Sequence, residues 1–187
     1  MQVIAGILLL ARFRAEGFAA FGATTLAFMN SLAPMLAITL VTSLRPLLAG
    51  NARQLGLHVM TSLIALLGPA VLSQLLAKLW KREALWLRYI VAFNWCQSVI
   101  TLVTVVLILL LAAGGNLAEG MGGLVAAIAA VLIYWIAMCW FMARHGLEIG
   151  KLKAVLAVIV INVGTGLLML GPQIITAMLQ PIAPVTS

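Results

Sequence analysis

The sequence predicts an all-α fold: a polytopic membrane protein whose bundle of five transmembrane helices follows a short interfacial N-terminal segment. Three observations predict it. Of 187 residues, 65% are hydrophobic and 8% charged, whereas about a quarter of a soluble domain is charged. Mean hydropathy is +1.21. Charge-free stretches run over 17–44, 54–77, 89–118, 120–143 and 154–187, and each exceeds the roughly 20 apolar residues that cross a hydrocarbon core of about 30 Å. These runs are continuous rather than alternating, which excludes a lipid-facing barrel.

Residues 1–21 form the interfacial segment. Its apolar run, Val3 to Ala11, is too short to span. Arg12 and Arg14 follow that run, the reverse of a secretory signal peptide, so an interfacial or half-inserted helix is expected. The transmembrane domain covers 22–178, with spans at 22–44, 56–78, 87–112, 121–143 and 154–178, and 179–187 form a short outer tail.

Loop charges orient the bundle. The N-terminal segment, second loop and fourth loop hold Arg12, Arg14, Lys78, Lys81, Arg82, Arg88, Arg144, Lys151 and Lys153, nine of the 11 basic residues. Only Arg45 and Arg53 fall on the other side. Short-loop basic residues stay cytoplasmic, so the N-terminus is expected inside and the C-terminus outside. Trp80 and Trp86 are placed as interfacial belt residues. Lys78, Lys81, Arg82 and Arg88 are candidate contacts for anionic lipid headgroups, worth about 1 kcal/mol each, although enforcing topology is role enough for them.

Composition also excludes function classes. The four acidic residues are all Glu, and the chain has no Asp. The pI near 10.3 reflects topology, not nucleic-acid binding. His58 and His145 sit at opposite membrane faces and cannot share one ion within a monomer. Cys96 and Cys139 lie at different depths and read as small buried hydrophobes. With no triad, aspartate dyad, HExxH or GxSxG, neither an enzyme nor a metal or cofactor is expected.

The third span carries the most informative polar feature. Asn94, Gln97, Ser98, Thr101 and Thr104 follow i, i+3, i+4, i+7, i+10, which puts them within about a 120° arc of one helix face. Lipid cannot satisfy their amides, so the stripe should face protein or water. Gln97 is nine residues from Arg88, and Asn162 nine from Lys153; both lie roughly 14 Å from the cytoplasmic edge at 1.5 Å per residue. Asn94, Gln97, Thr101, Asn162 and Thr165 are therefore candidates for one intramembrane polar layer. Pro34 and Pro69 fall near the same level as candidate helix kinks. Such a layer either lines a cavity or bonds helices together. Bonding is favoured, because the spans have no central ionisable group of the kind coupled transport exploits. In the fourth span, small residues from Gly122 to Ala130 recur four apart, a surface for close helix packing within or between chains.

The stretch Leu8 to Phe18, leading to Ser31 and Pro34, resembles uncharacterised bacterial inner-membrane proteins of this size. So do Leu87-Arg88-Tyr89-Ile90 running into Trp95, and Tyr134-Trp135 followed by Trp140 to Arg144. Those proteins are distantly similar to the Yip family, five-span proteins whose eukaryotic members associate with Rab-type GTPases and membrane traffic. The resemblance implies a multi-pass protein of the bacterial inner membrane. Without the long soluble N-terminal region of eukaryotic members, no GTPase-binding role is expected. The leading expectation is a non-enzymatic, Yip-like protein of membrane organisation or assembly, its partners the bilayer and a second copy or another membrane protein. The alternatives are a small transporter or channel for a neutral or weakly polar solute, and an accessory subunit of a larger membrane complex.

Overall fold

A computed structural model describes residues 2–113 and 117–178. The expected outer tail, 179–187, lies outside the described residues. The chain forms α1 (Gln2–Ala11), a 3-10 turn (Ala15–Ala20), α2 (Thr25–Leu48), α3 (Ala52–Leu79), α4 (Glu83–Ala113), α5 (Leu117–Gly146) and α6 (Lys151–Met178). Helices α2 to α6 are each long and apolar enough to cross a membrane. The fold is all-α, with no strand among the described residues.

Local chemistry sets the helix ends. The Thr24 hydroxyl accepts from the Ala27 N–H at 3.1 Å and Asn51 Oδ1 from the Gln54 N–H at 2.9 Å, capping α2 and α3. At the other termini, Phe13, Gly50, Lys81 and Glu148 take positive φ of 56°, 64°, 57° and 50°. The next N–H in each case reaches back five residues: Arg14 to Leu9 O, Asn51 to Pro46 O, Arg82 to Ala77 O and Ile149 to Arg144 O. This is the Schellman closure, and only Gly50 adopts it without steric cost. The helices extend past the charges that bounded the expected spans, so Arg45, Lys78, Arg88 and Arg144 are helical. Backbone hydrogen bonding is local and continues beyond the hydrocarbon, while long basic side chains reach for the headgroups.

The helices form a ring. α3 packs against α2 and α6, α5 against α6 and α4, and α4 closes onto α2, with α3 and α4 also touching. Burial is concentrated at one end, where α1 and the α3–α4 and α5–α6 turns gather; we call this the α1 end. Tyr89, Ile90, Met142 and Leu147 are almost completely buried there. α1 packs against α4 and α5, with Leu10 and Gly6 inward and Ile4 and Leu8 outward. A Cβ on Gly17 would stand 2.7 Å from the Gly6 carbonyl oxygen, so the 3-10 turn can lie against α1 only through glycine. Tyr134 Oη donates to the Ala11 carbonyl at 2.7 Å, fixing the end of α1 to α5. At the far end, α2, α3, α4 and α6 bury few of their described residues, among them Pro46 and Pro172.

Candidate functional site

The polar stripe of α4 is divided by its surroundings. Asn94 is buried, and its Nδ2 donates to the Ser31 hydroxyl of α2 at 2.9 Å. Ser31 in turn donates to the Phe28 carbonyl at 2.7 Å. Ser98, Thr101 and Thr104 donate to the carbonyls of Asn94, Gln97 and Ile100, each four residues back on α4 itself. Those hydroxyls are thereby satisfied without a neighbouring helix. Gln97 is half-buried, and its side-chain amide makes no hydrogen bond among the described residues.

The single layer joining α4 and α6 does not form. Asn162 is exposed, and its Nδ2 donates to Val158 O of its own helix at 2.8 Å. α4 and α6 are not packed against each other. Equal depth placed Asn162 beside Gln97, but depth fixes height and not the direction in which a helix face points. Thr165 is buried instead against α3, where a Cβ on Gly68 would meet both its Oγ1 and its Cγ2 at 3.1 Å. That close approach leaves the Thr165 hydroxyl without a hydrogen-bond partner among the described residues.

The other singled-out residues are placed as follows. Pro34 and Pro69 lie inside the unbroken helices α2 and α3, Pro69 buried and Pro34 half-buried. Lys78, Lys81, Arg82 and Arg88 are exposed at the α1 end, and Arg82 Nη1 stands 3.9 Å from Glu148 Oε2. Trp86 departs from the belt expectation: its indole N–H points inward and donates to Ser73 Oγ at 3.0 Å. Trp80 is half-buried, with Lys153 Nζ 6.0 Å from its ring. Both cysteines are buried and free. His145 packs against Phe141 with ring centroids 4.6 Å apart and the rings tilted by 44°.

A second polar constellation lies at the far end. A cleft of about 460 Å³ is lined by Thr42, Arg45 and Pro46 of α2, Gln54, Leu57, His58 and Thr61 of α3, and Gln173 of α6. Thr42 Oγ1 stands 2.9 Å from His58 Nε2. Sequence reasoning treated His58 as an isolated interfacial residue and Arg45 as a topology marker. The signal was present: Gln54, His58 and Thr61 follow i, i+4, i+7, and Thr42 and Arg45 follow i, i+3, so each set shares one helix face.

No protein-family model, curated protein or solved structure matches the chain. The chain is a multi-pass helical protein of membrane type, with five helices fit to span. Its chemistry must be argued from its own residues. The α4 stripe supplies amide and hydroxyl bonds inside a packed bundle; the far cleft supplies a cation and neutral polar groups.

Proposed function

We propose that the protein is a non-enzymatic bundle of the bacterial inner membrane, serving membrane organisation or assembly in the manner its Yip-like segments suggest. One observation carries this reading. The most polar buried residue of the spans, Asn94, is used in a direct interhelical bond to Ser31, where a solute path would keep its amide open to water. The small-residue face of α5 supports an assembly role, since Gly122, Gly123, Ala126, Ala129 and Ala130 are all exposed. A second copy or another membrane protein could approach that face closely. The topology belonging to this reading has a cytoplasmic α1 end and an outer far end, supported by the nine basic residues of the α1 end against Arg45 and Arg53.

Reconstitution tests it. Proteoliposomes are compared with empty liposomes for water and glycerol permeation by stopped-flow light scattering. The scaffold reading expects identical rates. Permeation well above the empty-liposome rate, abolished by Asn94→Leu, would replace it with the conduit reading. That second reading draws its support from the polar cleft at the far end.

A further inference from the structure

The far cleft descends into the apolar slab. Arg45 is three residues from the end of α2, His58 six from the start of α3, and Thr61 nine. At 1.5 Å per residue these stand roughly 5, 9 and 14 Å from the helix ends. Polar groups at such depth gain nothing from lipid tails and need either protein partners or a polar guest. Internal partners absorb some of them. The Thr61 hydroxyl donates to Leu57 O at 2.7 Å, and the Thr42 hydroxyl to Ile38 O at 2.9 Å. Thr42 Oγ1 and His58 Nε2 share one hydrogen bond across their 2.9 Å contact. His58 is thereby oriented by α2, and its Nδ1 is not used in that contact.

Arg45 has no such absorber among the described residues. No lining residue is acidic, and no carboxylate stands within ion-pair distance of it among the described residues. The carboxylates whose side chains are described, Glu16, Glu83 and Glu148, belong to the opposite end of the bundle. An arginine beside neutral polar side chains, in a cleft without carboxylates, is complementary to an oxyanion. The guanidinium presents a planar fork of N–H donors that matches two oxygens of one phosphate. Gln54 adds an amide from α3. The volume, about 460 Å³, suits a phosphate carrying an organic substituent, since small-ligand pockets run from about 300 to 1,000 Å³. α3 packs against both α2 and α6 while α2 and α6 do not pack against each other. The cleft therefore has α3 as its back wall and stays open opposite it.

We propose that this cleft, built on Arg45, Gln54 and His58, binds a phosphate-type anion: the phosphate of a lipid headgroup, or a free phosphate entering from the same face. The site stands whether the bundle acts as scaffold or as conduit, because it uses none of the residues of the Asn94 bond.

The test uses the full chain in a neutral detergent. Dioctanoyl phosphatidylglycerol is followed by native mass spectrometry, with dioctanoyl phosphatidylcholine as the zwitterionic comparison, and labelled inorganic phosphate by equilibrium dialysis. The expected result is that at least one of the two anions binds, and that Arg45→Gln weakens it about tenfold or more, with partial recovery in Arg45→Lys. Binding of phosphatidylglycerol alone identifies a headgroup site. Binding of inorganic phosphate, alone or in competition with the lipid, identifies a free-anion site. Gln54→Leu gives a smaller loss and keeps the test open if Arg45→Gln fails to fold. The proposal is overturned if neither anion binds, or if folded Arg45→Gln and Gln54→Leu bind as the parent does. It is equally overturned if Lys81→Gln, at the opposite end, removes the binding and Arg45→Gln does not.

Discussion

The side-chain amide of Asn94 donates to the Ser31 hydroxyl at 2.9 Å, joining α4 to α2 within the bundle. Both residues are buried, and Ser31 passes its own proton to the Phe28 carbonyl. The bond therefore has a fixed direction, with Asn94 as donor and Ser31 as relay. Ser31→Ala should leave a buried amide donor unpaired and cost about 1 to 3 kcal/mol. Asn94→Leu removes the donor, and the Ser31 hydroxyl keeps its own bond to the Phe28 carbonyl, so it should cost less. A double-mutant cycle on thermal or denaturant unfolding in detergent should return a coupling of about 0.6 to 2 kcal/mol. Strict additivity of the two variants would mean that the bond contributes nothing.

Gln97→Leu should behave differently, although Gln97 is only three residues further along the same stripe. Its amide bonds to nothing among the described residues, and the residue is only half-buried. Leucine there gives up no interhelical hydrogen bond and suits hydrocarbon better than an amide does. The variant should unfold at or above the parent's temperature. A loss of more than about 1 kcal/mol would reveal a partner for the amide.

These two residues show what the sequence could disclose. Charge-free runs of spanning length made five membrane helices legible, because bilayer thickness sets element length almost independently of tertiary context. The stripe's period puts Asn94 and Gln97 on one face of α4. Period and depth do not say which neighbouring helix a face meets. Asn162 therefore turns outward on α6, although counting from the basic residues gives it the same height as Gln97. The far cleft was hidden for a related reason. It draws on α2, α3 and α6, and the approach of α3 to α6 at Gly68 and Thr165 is a property of packing, not of either sequence segment alone. Trp86 likewise has the composition of a belt residue, yet Ser73 of the adjoining helix draws its indole inward.

At that α3–α6 contact, a methyl group on residue 68 would stand 3.1 Å from both branches of the Thr165 side chain. Gly68→Ala should destabilise by about 1 to 3 kcal/mol through overpacking. Adding Thr165→Ala removes both obstructing atoms and should restore most of the loss. Alone, Thr165→Val replaces an unpartnered buried hydroxyl with a methyl group of similar shape and should raise stability by about 1 kcal/mol. Melting of the three variants beside the parent in one detergent checks all three statements. A Gly68→Ala variant as stable as the parent would show that the helices part without cost.

Orientation is open to direct measurement through the turns. Cysteine labelling with a membrane-impermeant maleimide should modify Gly50→Cys in intact spheroplasts and leave Lys81→Cys unmodified until the membrane is opened. Cys96 and Cys139 are buried and should contribute little background. Labelling in the opposite order would invert the topology and place the Arg45 cleft on the cytoplasmic side.

The uneven depth of packing has a mechanical consequence. At the α1 end the helices interlock through rings, Phe13 against Tyr134 and Phe141 and Phe93 against Trp135, and their spacing is set by protein atoms. Towards the far end, exposed side chains such as Leu40, Leu110 and Leu167 must take acyl chains as their packing partners. The interval between α2 and α6, which do not touch, is thus governed by the surrounding lipid. Thicker or thinner bilayers should strain this compliant half first, each ångström of mismatch costing a fraction of a kcal/mol. Spin labels at Leu48 and Ile175 should then change separation with acyl-chain length, while a pair at Leu79 and Leu152 holds its distance. The mouth of the Arg45 cleft lies in the part that gives, so its width becomes a readout of membrane tension and thickness.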